Sequence, residues 1–590
     1  MTRPLTLLAL VALVAVACQK PEGKPADGTA EKSATAATAG ETAGKAGPAN
    51  AAGEGVDAAV RVSECPKSLG GTDKVHRVIS KDCGVVPVTE DYYVDGGSLT
   101  LEAGSSLSFK DGTGLYVGYY ESAKLIVQGT AEAPVVLTAA GDKAAGVWRG
   151  VSLNEHAARS TIDGLVIEYA GNDESALYVA AADVSVKSSK IRDAKGTGLL
   201  IADSGTLAAF TDNELKKLGS KTAIAGPASA VGGLGAGNRF DPEAHILVRG
   251  GNLNKSATWL PAGAPLVIGG EVYVDGTEGQ AAKLELTAGL ELRFGEAGSL
   301  VVGYYNQAAL AVKGTAEAPV TFTAHEKREA GGWGGVTVHG KGEATIEQAV
   351  FEFGGRDEAN GVLAVRGGAL GLKASTFRSD KAGVSVDEGS RVTAFADNKF
   401  AATPVAALLT ANHVMALAES NAYDRDSRIK ITGAAAIKGK ATWQAQGVPI
   451  EWAGELYIDG ELTLAGGVAL LGQPDARLVV GYYDTAALLV KGTAAAPVTI
   501  GPADTANNSW IGISLAGKAS GSSLENLVLT GASADAAIDV AGGVSATLSA
   551  VTCSKCKNAV VGWACGATVT SSQVLAADGT PKVDVRPEGC

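Results

Sequence analysis

The sequence predicts an all-β solenoid, a chain wound into stacked coils of short strands, and three observations lead there. One block recurs three times: LYVGYYESAKLIVQGTAEAPVVLTA from Leu115, VVGYYNQAALAVKGTAEAPVTFTA from Val301 and VVGYYDTAALLVKGTAAAPVTIGP from Val479. Its GYY glycine falls at 118, 303 and 481, in steps of 185 and 178 residues, and the GTA glycine at 129, 314 and 492 keeps the same steps. Triplication at a long, nearly fixed period marks a repeat architecture. Within each unit, apolar-x-apolar pairs, two side chains on one side of a strand, return every 21–27 residues. Lastly, 78 of the 590 residues are Gly, about twice the usual share of roughly 7%, which suits many turns and few long helices.

Composition also narrows function. The net charge of −13 and pI near 5.1 exclude a nucleic-acid partner, because phosphate binding needs a basic surface. A Gly-X-Y period is missing, which excludes collagen. Hydrophobic residues make up 46%, enough to build a core.

Residues 1–17 read as a signal peptide. Arg3 supplies a positive start, and Leu5 to Ala17 is a thirteen-residue apolar run, too short to span a bilayer comfortably. The run ends Ala15-Val16-Ala17-Cys18, which resembles a bacterial lipobox, with Ala15 less typical there than Leu. The resemblance implies cleavage before Cys18 and acylation of that residue. Multiple acyl chains would anchor it firmly, at ~0.8 kcal/mol per buried methylene. The competing reading is an ordinary secretory signal that contains a cysteine. Gln19, where Asp would signal inner-membrane retention in the lipoproteins it resembles, points to the outer membrane. Residues 18–60 are expected to be a disordered tether. From Gln19 to Ala58 the only large apolar residue is Val56, too little to offset the entropy of ordering. As a coil it would span ~35 Å.

Three units follow, at 61–262, 263–447 and 448–590. Unit one carries the pairs Leu125/Val127, Val151/Leu153, Leu177/Val179 and Leu199/Ile201. Unit two has Leu310/Val312, Val336/Val338, Leu363/Val365 and Val384/Val386; unit three has Leu488/Val490, Ile513/Leu515, Ile538/Val540 and Ala559/Val561. Read as successive coils, they are 26, 26 and 22, then 26, 27 and 21, then 25, 25 and 21 residues apart. Trp148, Trp333 and Trp510 follow the blocks, and YVDG, YVDG and YIDG, with Asp95, Asp275 and Asp459, precede them.

The motifs L-x-V-x-G-T-A-x-A-P-V-x-[LFI] and W-x-G-[VI], with SLTLEAGSSLSF from Ser98, resemble bacterial exported proteins with a right-handed parallel β-helix of the pectin-lyase-like kind. The resemblance covers most of residues 85–585. It implies a rod of roughly twenty-two coils, ~105 Å long, with Leu, Val, Ile and Ala stacks inside. It implies no activity, because that fold carries lyases, hydrolases, adhesins and spacers alike.

With Cys18 lipidated, six cysteines remain, an even number in an oxidising compartment. Cys65 and Cys83 sit where the rod begins; Cys553, Cys556, Cys565 and Cys590 sit where it ends. A Cys65–Cys83 bridge and two bridges among the last four, in open connectivity, are expected to cap ends that expose unpaired backbone. A zinc or redox reading of Cys553-x-x-Cys556 lacks a second CxxC, a nearby His and a βαβ setting.

Candidate chemistry is sparse. The six histidines show no HExxH, so zinc hydrolysis is not expected. Polysaccharide hydrolases of the fold it resembles use clustered aspartates with G-H-G and R-x-K. Here Arg428-Ile429-Lys430 stands near Asp424 and Asp426 without a G-H-G. Glu168, Asp173 and Glu174 recur in unit two as Glu352, Asp357 and Glu358, but unit three has Thr530, Asp535 and Ala536. Strand alternation in LVIEY and AVFEF is expected to put Ile167/Tyr169 and Phe351/Phe353 inward and the glutamates outward. Such oxygens on adjacent coils can hold Ca²⁺ or work as an acid/base pair; the blander reading is solubilising charge at a corner. Tyr119/Tyr120, Tyr304/Tyr305 and Tyr482/Tyr483 either stack on sugar faces or cover a coil edge beneath a neighbouring loop. Eight coils between pairs, ~38 Å, exclude one continuous stripe, and copying of the whole unit around the pairs favours the structural role.

The expected protein is therefore an exported, lipid-anchored outer-membrane rod. Its role would be non-enzymatic, binding carbohydrate or a surface partner, with no required cofactor. A polysaccharide lyase or hydrolase and an inert spacer are the alternatives.

Overall fold

The computed structural model describes residues 61–433, 436–504, 506, 510–577 and 582–585. The segments read as signal peptide and tether, the expected lipid site Cys18, and Cys590 lie outside these residues. The described residues belong to one compact unit, 58–590, and form an all-β, right-handed parallel β-solenoid of about 21 turns. Helical pieces among them are three short 3₁₀ turns.

Most coils have three strands. In the first repeat the chain runs from Gly114–Val117 on a first face to Lys124–Gln128 on a second and Val135–Ala139 on a third. Gly150–Leu153 returns to the first face and sets Val151 against Leu115. In-register parallel pairing puts like side chains above one another, so apolar ladders such as Leu115, Val151, Leu177 and Leu199 fill the interior. The turn between second and third faces is tight: Ser188 and Asp212 take left-handed φ of 49° and 58°. The residues that follow, Ser189 and Asn213, turn inward and are buried.

Burial obliges those polar groups to pair, and they do so with one another. Asn213 Oδ1 accepts the N–H of Ser189 at 3.0 Å, and Asn238 Oδ1 accepts the N–H of Asn213 at 3.0 Å. Ser375, Asn398 and Asn421 repeat this ladder in unit two. The interior thus holds polar ladders beside the Leu, Val, Ile and Ala stacks expected from the sequence. It also holds an aromatic ladder. Phe322, Phe351, Phe377, Phe400 and Tyr423 stack nearly parallel at 4.6, 4.9, 4.8 and 5.2 Å between centroids, close to the coil rise of ~4.8 Å. Trp148 and Trp333 are buried against Phe109 and Phe294 at 4.0 and 4.1 Å. Trp148, Trp333 and Trp510 donate from Nε1 to the carbonyls of Glu168, Glu352 and Thr530.

Asp380 is fully buried; its Oδ1 accepts the Gly354 N–H at 2.7 Å, while Oδ2 has no hydrogen-bond partner. Burial pushes its carboxyl up to about 8, and the nearby Glu352 charge adds to the effect. An unfolded Asp releases its proton near ~3.9, so between the two values the folded chain holds a proton that the unfolded chain has lost. This contribution to stability is full below the unfolded value and declines as pH rises to about 8. Denaturation midpoints should therefore fall between pH ~5 and ~8.5, and Asp380→Asn should flatten the fall. An equally steep fall in the variant would rule out Asp380 as its source.

The repeats are not stacked in phase. Seven pairing steps lead down the first face from Gly114–Val117 to Glu291–Phe294. The equivalent of Gly114–Val117 in unit two, Ser299–Val302, is the next strand in the chain and so lies on the second face. Seven further steps run from Ser299–Val302 to Ala469–Gly472. Arg477–Val480, the unit-three equivalent, again lies one face on. The three strands belong to three different sheets. A repeat is thus seven and one-third coils, about 35 Å of axis, in place of the eight coils expected. The sequence pairs concealed this because the first pair in each unit is on a different face from the other three. Val127 stacks on Ile162, whereas Val151 stacks on Leu177.

At the N-terminal end Cys65 and Cys83 are bridged, with Cα atoms 5.1 Å apart. At the other end Cys553 and Cys556 are buried in the last described coils.

Candidate functional site

The three GYY turns are built alike. Gly118, Gly303 and Gly481 take left-handed φ of 64°, 69° and 68°, where an L side chain is strained. A Cβ there would also overlap the backbone nitrogen of Ala157, Gly342 or Ala519 in the next coil. Asp95, Asp275 and Asp459 are buried beneath the turns. Asp95 Oδ1 accepts the N–H groups of Tyr120 (3.0 Å) and Glu121 (3.3 Å). Asp275 Oδ1 accepts those of Tyr305 (3.1 Å) and Asn306 (2.9 Å), and Asp459 Oδ1 those of Tyr483 (3.1 Å) and Asp484 (3.4 Å). Carboxylates accepting backbone N–H groups make strong, charge-assisted bonds, so each turn is pinned from inside.

All six tyrosine rings are exposed, between 48% and 74%, and so are not buried beneath a neighbouring loop. The buried aspartate and the glycine hold the edge. Within each pair the rings meet edge to face, at 4.6, 4.6 and 4.8 Å and interplanar angles of 73°, 79° and 79°. A third tyrosine from the preceding coil joins each pair: Tyr93 at 6.0 Å from Tyr119, Tyr273 at 6.4 Å from Tyr304, and Tyr457 at 5.3 Å from Tyr483. Sequence reading missed this third ring, although it opens the YVDG and YIDG motifs. A whole coil, 25 to 31 residues, separates it from the first ring of its pair.

Surroundings differ between copies. In unit one Tyr116 stacks on Tyr93 at 4.9 Å, and with Tyr178, Arg149, Asp173 and Glu174 it lines a cleft of about 290 Å³. In unit two the His339 ring meets Tyr304 at 4.7 Å. An insertion closed by Thr277 and Gln280, which exchange backbone hydrogen bonds of 2.9 and 3.0 Å, walls a groove of about 970 Å³ beside the cluster.

The acidic set resolves into separate parts. Glu168 accepts from Arg192 Nε at 2.8 Å and Thr138 Oγ1 at 3.1 Å; Glu352 accepts from Arg378 Nε at 2.6 Å and Thr323 Oγ1 at 2.9 Å. These carboxylates tie three coils together along an outer ladder. Asp357 accepts the N–H groups of Ala359 and Asn360, both at 2.9 Å, and Glu358 pairs with Lys430 at 3.4 Å. Among the described residues no three His, Cys, Asp or Glu side chains are grouped to hold a metal ion. Ile167 and Phe351 face inward as expected, but Tyr169 and Phe353 do not continue the strand. Both take φ of 64° at the corner and are only partly buried, because the strand ends at the glutamate. Arg428 donates to the Ser427 carbonyl at 2.9 Å, and Asp424 accepts the Ala402 N–H at 2.6 Å. These groups serve turns.

Residues 251–366 match the family described as "Pectate-lyase like beta helix domain". The stretch spans the end of the first repeat and about half of the second. Comparison with curated proteins gives no match.

Proposed function

We propose that the protein is an exported rod, held at the outer membrane by lipid on Cys18, that binds carbohydrate without chemical turnover. The observation that carries this is the exposed three-tyrosine cluster, built three times on the same pinned turn. An exposed aromatic ring fixed in place offers its π-face to the C–H face of a sugar at little entropic cost. The charge of −13 favours neutral glycans over uronates. Purified 58–590, which carries the whole described core, should be retarded on neutral polysaccharides in affinity electrophoresis, with or without calcium, and release no products. Alanine at all six GYY tyrosines should abolish the shift. New reducing ends or unsaturated sugars would make the protein an enzyme, and retention on none of the panel would leave a spacer.

A further inference from the structure

The phase of the repeats decides what three such sites can do together. Each GYY turn follows a strand of a different sheet, so the clusters stand on three different edges of the rod, about 35 Å apart along its axis. A chain lying straight along one edge meets one cluster. None of the clusters can swing to a neighbour's edge, because the buried aspartate and the glycine fix each turn to its own coil. The groove beside Tyr304 and Tyr305 runs along that edge across successive coils, past Gln307, Lys341, Gly368 and Arg391, and not around the rod.

We propose that the protein is a trivalent cross-linker of neutral β-linked glycan chains, each tyrosine cluster holding a separate chain. This rests on the reading of the clusters as sugar sites and adds that they cannot share one ligand. β-1,4-Linked glucose polymers fit the chemistry: they are extended and stiff, and equatorial hydroxyls leave flat C–H faces for the rings. To touch two clusters, such a chain would have to leave its edge and bend across a face. Three separate engagements join chains into a network, which a single row of sites would not do.

The test uses residues 58–590, one compact unit with its own core, so that lipid-driven association plays no part. The probe is hydroxyethyl cellulose, a soluble neutral β-1,4-glucan. Titration calorimetry reads sites per rod and light scattering reads cross-linking. The wild type should show three sites and a steep rise in scattering near equivalence. Variants keeping one cluster, for example Tyr119→Ala/Tyr120→Ala combined with Tyr304→Ala/Tyr305→Ala, should bind at one site and stay clear. Those rings are exposed, so the fold is kept, and far-UV circular dichroism checks it. Wild type that binds but stays clear, or one-cluster variants that still scatter, overturns cross-linking and leaves the sugar sites standing. No heat and no scattering from any form overturns both.

Discussion

Replacing Phe351 with Ala is expected to lower the free energy of unfolding by about 3–5 kcal/mol. The ring is fully buried between Phe322 and Phe377, at 4.6 and 4.9 Å from their centroids. Its loss opens a slot one ring thick. The neighbours cannot close the slot, because the coil above and the coil below are held in register by backbone pairing, Val350 to Thr376 on one side and Thr321 to Val350 on the other. Packing that cannot relax keeps the full cavity cost. Phe353→Ala is the control. That ring stands at the corner, partly buried, and its removal should cost about 1 kcal/mol. Denaturant midpoints for the two variants check the contrast, and equal losses would mean that the ladder adds nothing beyond ordinary burial.

Gly303→Ala should be strongly disruptive. The new methyl group would sit on the Gly342 backbone, at a φ of 69° that alanine resists. We expect a loss of about 3 kcal/mol or more, since strain and overlap add. The turn cannot keep its place, so the Asp275 bonds to Tyr305 and Asn306 are lost with it. Glycan binding at that cluster should disappear while the other two persist, and calorimetry would find two sites per rod. Full binding at three sites would show that the pinned turn does not position the rings.

Much of this was legible in the sequence for a simple reason. Parallel coils stack like on like, so the chain must repeat its apolar pairs, and the repeat is visible without coordinates. Cys65 and Cys83 were legible too, because two cysteines close together where a rod begins have an obvious use. The site was half legible. GYY and the aspartate of YVDG stand out as copied residues, but their relation does not. Asp95 and Tyr120 are 25 residues apart, one coil, and only the winding brings a carboxylate beneath the turn and a third tyrosine beside the pair. The Glu168 and Glu352 sets were only partly legible for a related reason: sequence shows the acids together and leaves out Arg192 and Arg378, one coil on.

By itself the sequence determined the coil, its triplication and the residues that line its turns, because side-chain alternation and turn chemistry are local. Tertiary structure alone decided the phase. The same apolar alternation runs through all three faces, so that pattern does not say which face a strand joins; that depends on how many loop residues each coil spends before the next strand docks. The extra third of a coil per repeat follows from that accumulated length. It sets three like clusters on three edges, where sequence had shown only three like motifs.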